Sequence, residues 1–72
     1  MEKFRVYAVM DEKEYGLAFF TYDDDRDSRW ELIKGPQTIY RGLEEANFAI
    51  SEHKRTRADQ KVDEYKLVTV LN

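Results

Sequence analysis

The sequence predicts a small α+β domain, in which one helix packs on one face of an antiparallel, possibly mixed, sheet of three to five strands. Residues 43–54 place apolar side chains at helical spacing, and short segments rich in β-branched and aromatic residues flank them. Only short turns separate these segments, which favours antiparallel pairing. We expect residues 1–72 to form a single domain with the element order ββ(β)βαβ.

Two strands are expected near the start of the chain. Residues 4–10 mix β-branched and aromatic side chains with little polar interruption, and residues 17–22 continue this composition. The charged segment 11–16 between them is expected to form the turn of a hairpin. Gly16 is available there for a positive φ angle.

Two further strands and a short extended piece complete the expected sheet. Residues 30–33 form a third strand, which the glycine–proline pair at 35–36 ends. Residues 38–40 are a short extended piece, expected at an edge of the sheet. Residues 65–71 are apolar on both sides, which predicts a final strand in a central position.

The helix has recognisable end signals. Gly42 is a tolerable N-cap, and Glu44 and Glu45 in the first turn complement the helix dipole. Cationic side chains near residues 54 and 55 suit the last turn. The charged segment 56–64 that follows is either a loop or a helical extension.

Phe48 lies on the wrong side of this helix. It is roughly 140° around the helix from Leu43, at about 100° per residue, and its neighbours there are polar. The apolar stripe of the helix consists of Leu43, Ala46, Ala49 and Ile50. A large aromatic side chain in that position needs a covering partner, either segment 56–64 or another chain.

A candidate interface follows from the position of Phe48. If the helix continued past its expected end, Phe48 would share one side with Ala58 and Val62. Polar residues interrupt this seam, so a regular coiled coil is not expected. Phe48, Ala58 and Val62 are therefore the predicted interface residues, whether they meet within one chain or between two copies.

Size and composition favour self-association. The chain has 72 residues and no cysteine, and a chain this short buries only about 60% of the surface that its unfolded form exposes.

Neither a basic leader followed by an apolar run nor a stretch of about 18 apolar residues is present, so a cytoplasmic protein without membrane contact is expected. In length and composition, the chain is similar to many short proteins of bacteria and their phages.

The aspartate-rich run 23–27 is the only segment that suggests a metal site. Its spacing matches the first ligands of a calcium-binding EF-hand loop, but Ser28 replaces the required glycine and Lys34 replaces the bidentate glutamate. Aspartates in a hairpin turn are ordinary solvated turn formers. No metal site is therefore expected.

The sequence offers no catalytic constellation. His53 is the only histidine, and Ser51 points in a different direction on the helix. The three glycines are isolated, so no phosphate-binding loop is present. We expect a protein without enzymatic activity or cofactor, in which His53 is a partly buried structural residue.

One basic patch could contact nucleic acid. Lys54, Arg55, Arg57 and Lys61 lie at and beyond the helix end, although acidic residues surround them. The chain carries 12 basic and 15 acidic side chains, a net charge of −3, whereas nucleic-acid-binding domains are usually basic. A cationic helix end that complements the helix dipole explains the same residues.

These observations favour a small protein-interaction or regulatory domain, expected to be a homodimer. The first alternative is weak binding of single-stranded nucleic acid through the basic patch at residues 53–61. The second is an acidic inhibitor of a nucleic-acid-binding protein, which would use the acidic turns at residues 11–14 and 23–27.

Overall fold

A computed structural model describes residues 2–20, 29–35 and 38–71 and confirms the α+β fold. One helix packs on a five-stranded sheet, and every strand pairing in the described part of the chain is antiparallel. The elements are β1 (Lys3–Met10), β2 (Lys13–Phe20), β3 (Arg29–Ile33), β4 (Tyr40–Arg41), α1 (Leu43–Thr56) and β5 (Glu64–Val70). The aspartate run at 23–27 lies outside the described residues.

A two-residue turn joins β1 to β2. Asp11 and Glu12 have φ angles of 53° and 66°, and the strands pair on either side of them. Positive φ at both central positions matches the right-handed twist of a hairpin. The expected turn at 11–16 was too long, and Gly16 lies within β2, because the shorter turn allows β2 to begin at Lys13.

Strand β1 is the centre of the sheet. β5 pairs along one side of β1, from Lys3 to Val9. β2 and β4 therefore share the other side, where β4 pairs near the start of β1 and β2 near its end. β3 extends the sheet beyond β2. The expected central position of the last strand is wrong: within the described residues, β5 pairs with β1 alone and is an edge strand.

The core lies between α1 and one face of the sheet, the helix-covered face. Its buried apolar residues are Val6, Leu17, Tyr40, Ala46 and Ala49. The Tyr40 hydroxyl donates a hydrogen bond to the carbonyl oxygen of Leu17 at 3.1 Å. Burial raises the pKa of Tyr40 to about 12, so this phenol stays protonated and ties β4 to β2.

The ends of α1 follow the sequence signals closely. Gly42 is the N-cap with a φ angle of 98°, and Glu45 accepts a hydrogen bond from the backbone nitrogen of Arg41 at 3.2 Å. The helix continues to Thr56, and residues 57–63 form a loop rather than a helical extension.

No helix in the described part of the chain has the length and apolar character needed to cross a membrane.

Candidate interaction surfaces

The free edge of β5 is the most exposed apolar part of the sheet. Because β5 pairs with β1 on one side only, backbone N–H and C=O groups on its other side have no strand partner in the described part of the chain. The side chains of Leu67 and Val68 are 38% and 44% exposed, and Leu71 just beyond the strand is 89% exposed. Residues 67–71 carry no charge.

The other edge of the sheet is different. β3 is only five residues long and includes Arg29 and Glu31, which pair at 3.9 Å. Short, charged strands are how natural sheets prevent edge-to-edge association. The second half of β5 lacks this protection, which makes β5 the edge that is open to pairing.

A groove lies beside the free edge, between α1 and β5. Its volume is about 470 Å³, and its apolar lining comes from Ile50, Val62, Tyr65 and Leu67. Lys54 lies over the ring of Tyr65, with its ammonium 5.4 Å from the ring centroid. Apolar side chains next to unpaired backbone groups are the combination that an added strand requires.

His53 holds Tyr65, one of the residues that line this groove, through a hydrogen bond. It is fully buried, and its Nε2–H donates to the Gln60 side-chain oxygen at 2.8 Å, while the Tyr65 hydroxyl donates to Nδ1 at 2.6 Å. Burial is the largest cause that lowers the pKa of His53, so the ring is neutral at pH 7. His53 lies toward the core, as the sequence predicts, and it is more deeply buried than expected.

Phe48 is covered in part by its own chain. Its ring contacts Trp30 edge-on, with centroids 5.8 Å apart, and Trp30 stacks on Phe19 at 4.5 Å. The covering residue is therefore on β3, which neither sequence alternative included. Phe48 nevertheless remains 58% exposed.

The predicted interface residues lie in different places. Phe48 packs toward β3, Val62 lines the groove beside β5, and Ala58 is exposed in the loop after α1. The structure does not place these three residues in one patch. Their role in an interface stays a prediction.

The predicted basic patch is largely paired with acidic groups. Arg55 donates two hydrogen bonds to Glu52, at 3.0 and 2.8 Å, and Arg57 donates two weaker ones to Asp59, at 3.3 and 3.4 Å. Lys54 faces Tyr65, and Lys61 is exposed. These ion pairs reduce the positive potential that nucleic-acid binding at this patch would need.

Sequence reasoning missed Leu67, Val68 and Leu71. The signal is present in the sequence, because residues 65–71 have apolar side chains on both sides, but this pattern also predicts a strand in a central position. An edge strand that pairs with a second chain has the same pattern.

In the described residues, no group of histidine, cysteine and acidic side chains has the arrangement of a metal site.

Comparison of the chain with protein-family models, curated proteins and solved structures found no match. The surfaces described above therefore carry the functional proposal.

Proposed function

We propose that this protein is a non-enzymatic interaction domain that forms a homodimer by antiparallel pairing of β5 with β5 of a second copy. The observation that carries the proposal is the free β5 edge, where the uncharged residues 67–70 and Leu71 just beyond the strand include three exposed apolar side chains. An exposed apolar edge strand is a template for pairing with another chain. Pairing about a two-fold axis would satisfy the same backbone groups on both copies.

The side chains of β5 support this choice of partner. In the pairing with β1, Leu67 lies opposite Val6 on the helix-covered face, and Val68 lies opposite Arg5 on the other face. A second β5 would therefore bury apolar side chains on both faces of the extended sheet. Full burial of an exposed side chain of this kind contributes roughly 1.5–3 kcal/mol, so burial of the exposed 38% of Leu67 and 44% of Val68 would contribute about 0.6–1.3 kcal/mol each, and each would be buried twice in a symmetric dimer.

The size of the chain favours the same conclusion. A 72-residue domain without cysteine has a small core, and self-association is a common way to add apolar contact. The groove beside β5 offers further apolar surface, from Ile50 and Val62, to the side chains of an added strand. Regulation through such contact needs no catalytic group.

The test is the oligomeric state of matched variants. Leu67→Lys places a charge on the edge, and Leu43→Lys makes the same change at a helix position that is 52% exposed. We expect sedimentation equilibrium at tens of micromolar to show a dimer for the parent protein and Leu43→Lys, and a monomer for Leu67→Lys. Circular dichroism confirms that each variant is folded.

Two outcomes would count against this proposal. A monomeric parent protein would exclude the homodimer. A dimer that persists in Leu67→Lys but dissociates in Phe48→Ala would move the interface to the side of the helix where Phe48 lies, as the sequence alone predicted.

A further inference from the structure

The face of the sheet opposite α1 carries a group of three cationic side chains at one end. Alternation along β1 places Lys3, Arg5 and Tyr7 on this face, since Val6 and Ala8 are buried on the other. Arg41 of β4 lies directly opposite Lys3 and joins them. We call Lys3, Arg5 and Arg41 the sheet-face cluster.

The members of the cluster have no acidic partner among the described residues. None of the ion pairs within the described residues involves Lys3, Arg5 or Arg41. Glu45 bonds to the backbone nitrogen of Arg41 rather than to its guanidinium. The Nε atom of Arg5 is buried and has no hydrogen-bond partner in the described part of the chain. By contrast, Arg55 and Arg57 are held by carboxylates.

The register makes this arrangement unfavourable by itself. Like charges directly opposite each other on neighbouring strands, as Lys3 and Arg41 are, destabilise a sheet. On the β5 side of β1, the residues opposite Lys3 and Arg5 are Val70 and Val68, which cannot neutralise them. An anionic ligand would offset this repulsion.

We propose that the sheet-face cluster binds the phosphate backbone of single-stranded nucleic acid. Lys3 and Arg5 are two residues apart on one strand, which separates their positions by about 6.7 Å and suits successive phosphates of an extended strand. Tyr7 follows at the same interval on the same face and provides a ring on which a base can stack. Arginine and lysine supply the charge-assisted hydrogen bonds that phosphates accept.

This inference is independent of the proposed dimer. The cluster lies on the face opposite α1, whereas Leu67 lies on the helix-covered face. Leu67→Lys therefore tests the dimer without adding charge on the side of the cluster. The predicted patch at residues 54–61 is a separate surface, and its arginines provide the control.

The test measures fluorescence anisotropy of a labelled oligothymidylate and of the matching oligouridylate, titrated with the full chain. Neutralisation of about three phosphates predicts that log K falls with log salt concentration with a slope near −2. Arg41→Gln should weaken binding roughly fivefold and reduce the slope by about 0.7. Arg55→Gln makes the same change in net charge and should leave both quantities unchanged.

Two further measurements separate binding from folding. Tyr7→Leu should weaken binding about tenfold through loss of stacking, with the salt slope unchanged. Without nucleic acid, Arg41→Gln should unfold at the same temperature as the parent or a higher one, because it removes the repulsion with Lys3. A higher affinity for oligouridylate indicates that the natural ligand is RNA, and a higher affinity for oligothymidylate indicates that it is DNA.

The proposal is overturned if neither oligonucleotide binds at 50 mM salt, or if Arg55→Gln weakens binding as much as Arg41→Gln does. It is equally overturned if polyglutamate competes as well as the oligonucleotide does. That result would assign the cluster to acidic protein segments.

Discussion

At the residue scale, His53 links three parts of the fold through two hydrogen bonds. It belongs to α1, Gln60 belongs to the following loop, and Tyr65 belongs to β5. These two hydrogen bonds could not be predicted from the sequence, because nothing in the residues around a lone histidine indicates which side chains it will contact. The helical spacing nevertheless placed His53 correctly toward the core.

The first prediction concerns pH. Burial lowers the pKa of His53 below its ordinary value of 6.5, so the unfolded chain binds a proton at a higher pH than the folded protein does. The free energy of unfolding should therefore be constant above about pH 7 and decrease as the pH falls toward about 5. Urea unfolding across this range measures it.

A His53→Gln variant is the control for this pH dependence. Among the groups near His53, Asp59 has a pKa lowered by Arg57, so its contribution is lost only at a more acidic pH than 5. The variant should be less stable at neutral pH, with no decrease between pH 7 and 5. An equal decrease in both proteins would show that another group titrates.

The second prediction concerns the turn between β1 and β2. Glu12 has a φ angle of 66°, a conformation that costs an L-residue about 1–2 kcal/mol. Glu12→Gly should relieve this strain and increase the free energy of unfolding by about 0.5–1 kcal/mol, after the greater chain entropy of glycine is included. Thermal unfolding measures the change. Glu14→Gly, at a position with ordinary strand geometry in β2, should instead be destabilising.

At the element scale, the type and order of the elements could be predicted from the sequence. The helix was placed within two residues of its observed end, because Gly42 and the charges of both end turns are local signals. The order of strands in the sheet could not be predicted in this way. Only the tertiary pairing decides that β1 lies in the centre and β5 at the edge.

The candidate site shows the same limit. Phe48 was correctly recognised as out of place on its helix, but its partner Trp30 is on β3, 18 positions away in the chain. The cationic residues near the end of α1 are adjacent in sequence, so the sequence alone predicts a basic patch there. The sheet-face cluster is not predictable in this way, because strand pairing brings Arg41 to Lys3.

The third prediction concerns the contact between α1 and β3. Phe48 is 58% exposed but packs edge-on against Trp30, so Phe48→Ala should lower the free energy of unfolding by about 1–2 kcal/mol. Denaturant unfolding at a fixed protein concentration measures the loss. Leu43→Ala, a truncation at a similarly exposed helix position that the core cluster does not include, should cost less. Equal losses would mean that the aromatic contact adds nothing.

At the scale of the whole molecule, the two proposed surfaces are compatible. Pairing of β5 with a second β5 about an axis perpendicular to the sheet would place both sheet-face clusters on the same side of a continuous sheet. The two β1 strands would then be three strand spacings apart, about 14 Å. A dimer could thus present one extended cationic surface, although each copy carries a net charge of −3.

The central claim is that β5 is the dimer interface, and isotope-filtered NMR of a mixture of labelled and unlabelled protein tests it most directly. We predict nuclear Overhauser contacts between copies that involve residues 64–71, including Leu67 and Val68. Contacts between copies that come from Phe48 and its neighbours instead, or an absence of contacts at concentrations where the protein is dimeric, would contradict the claim.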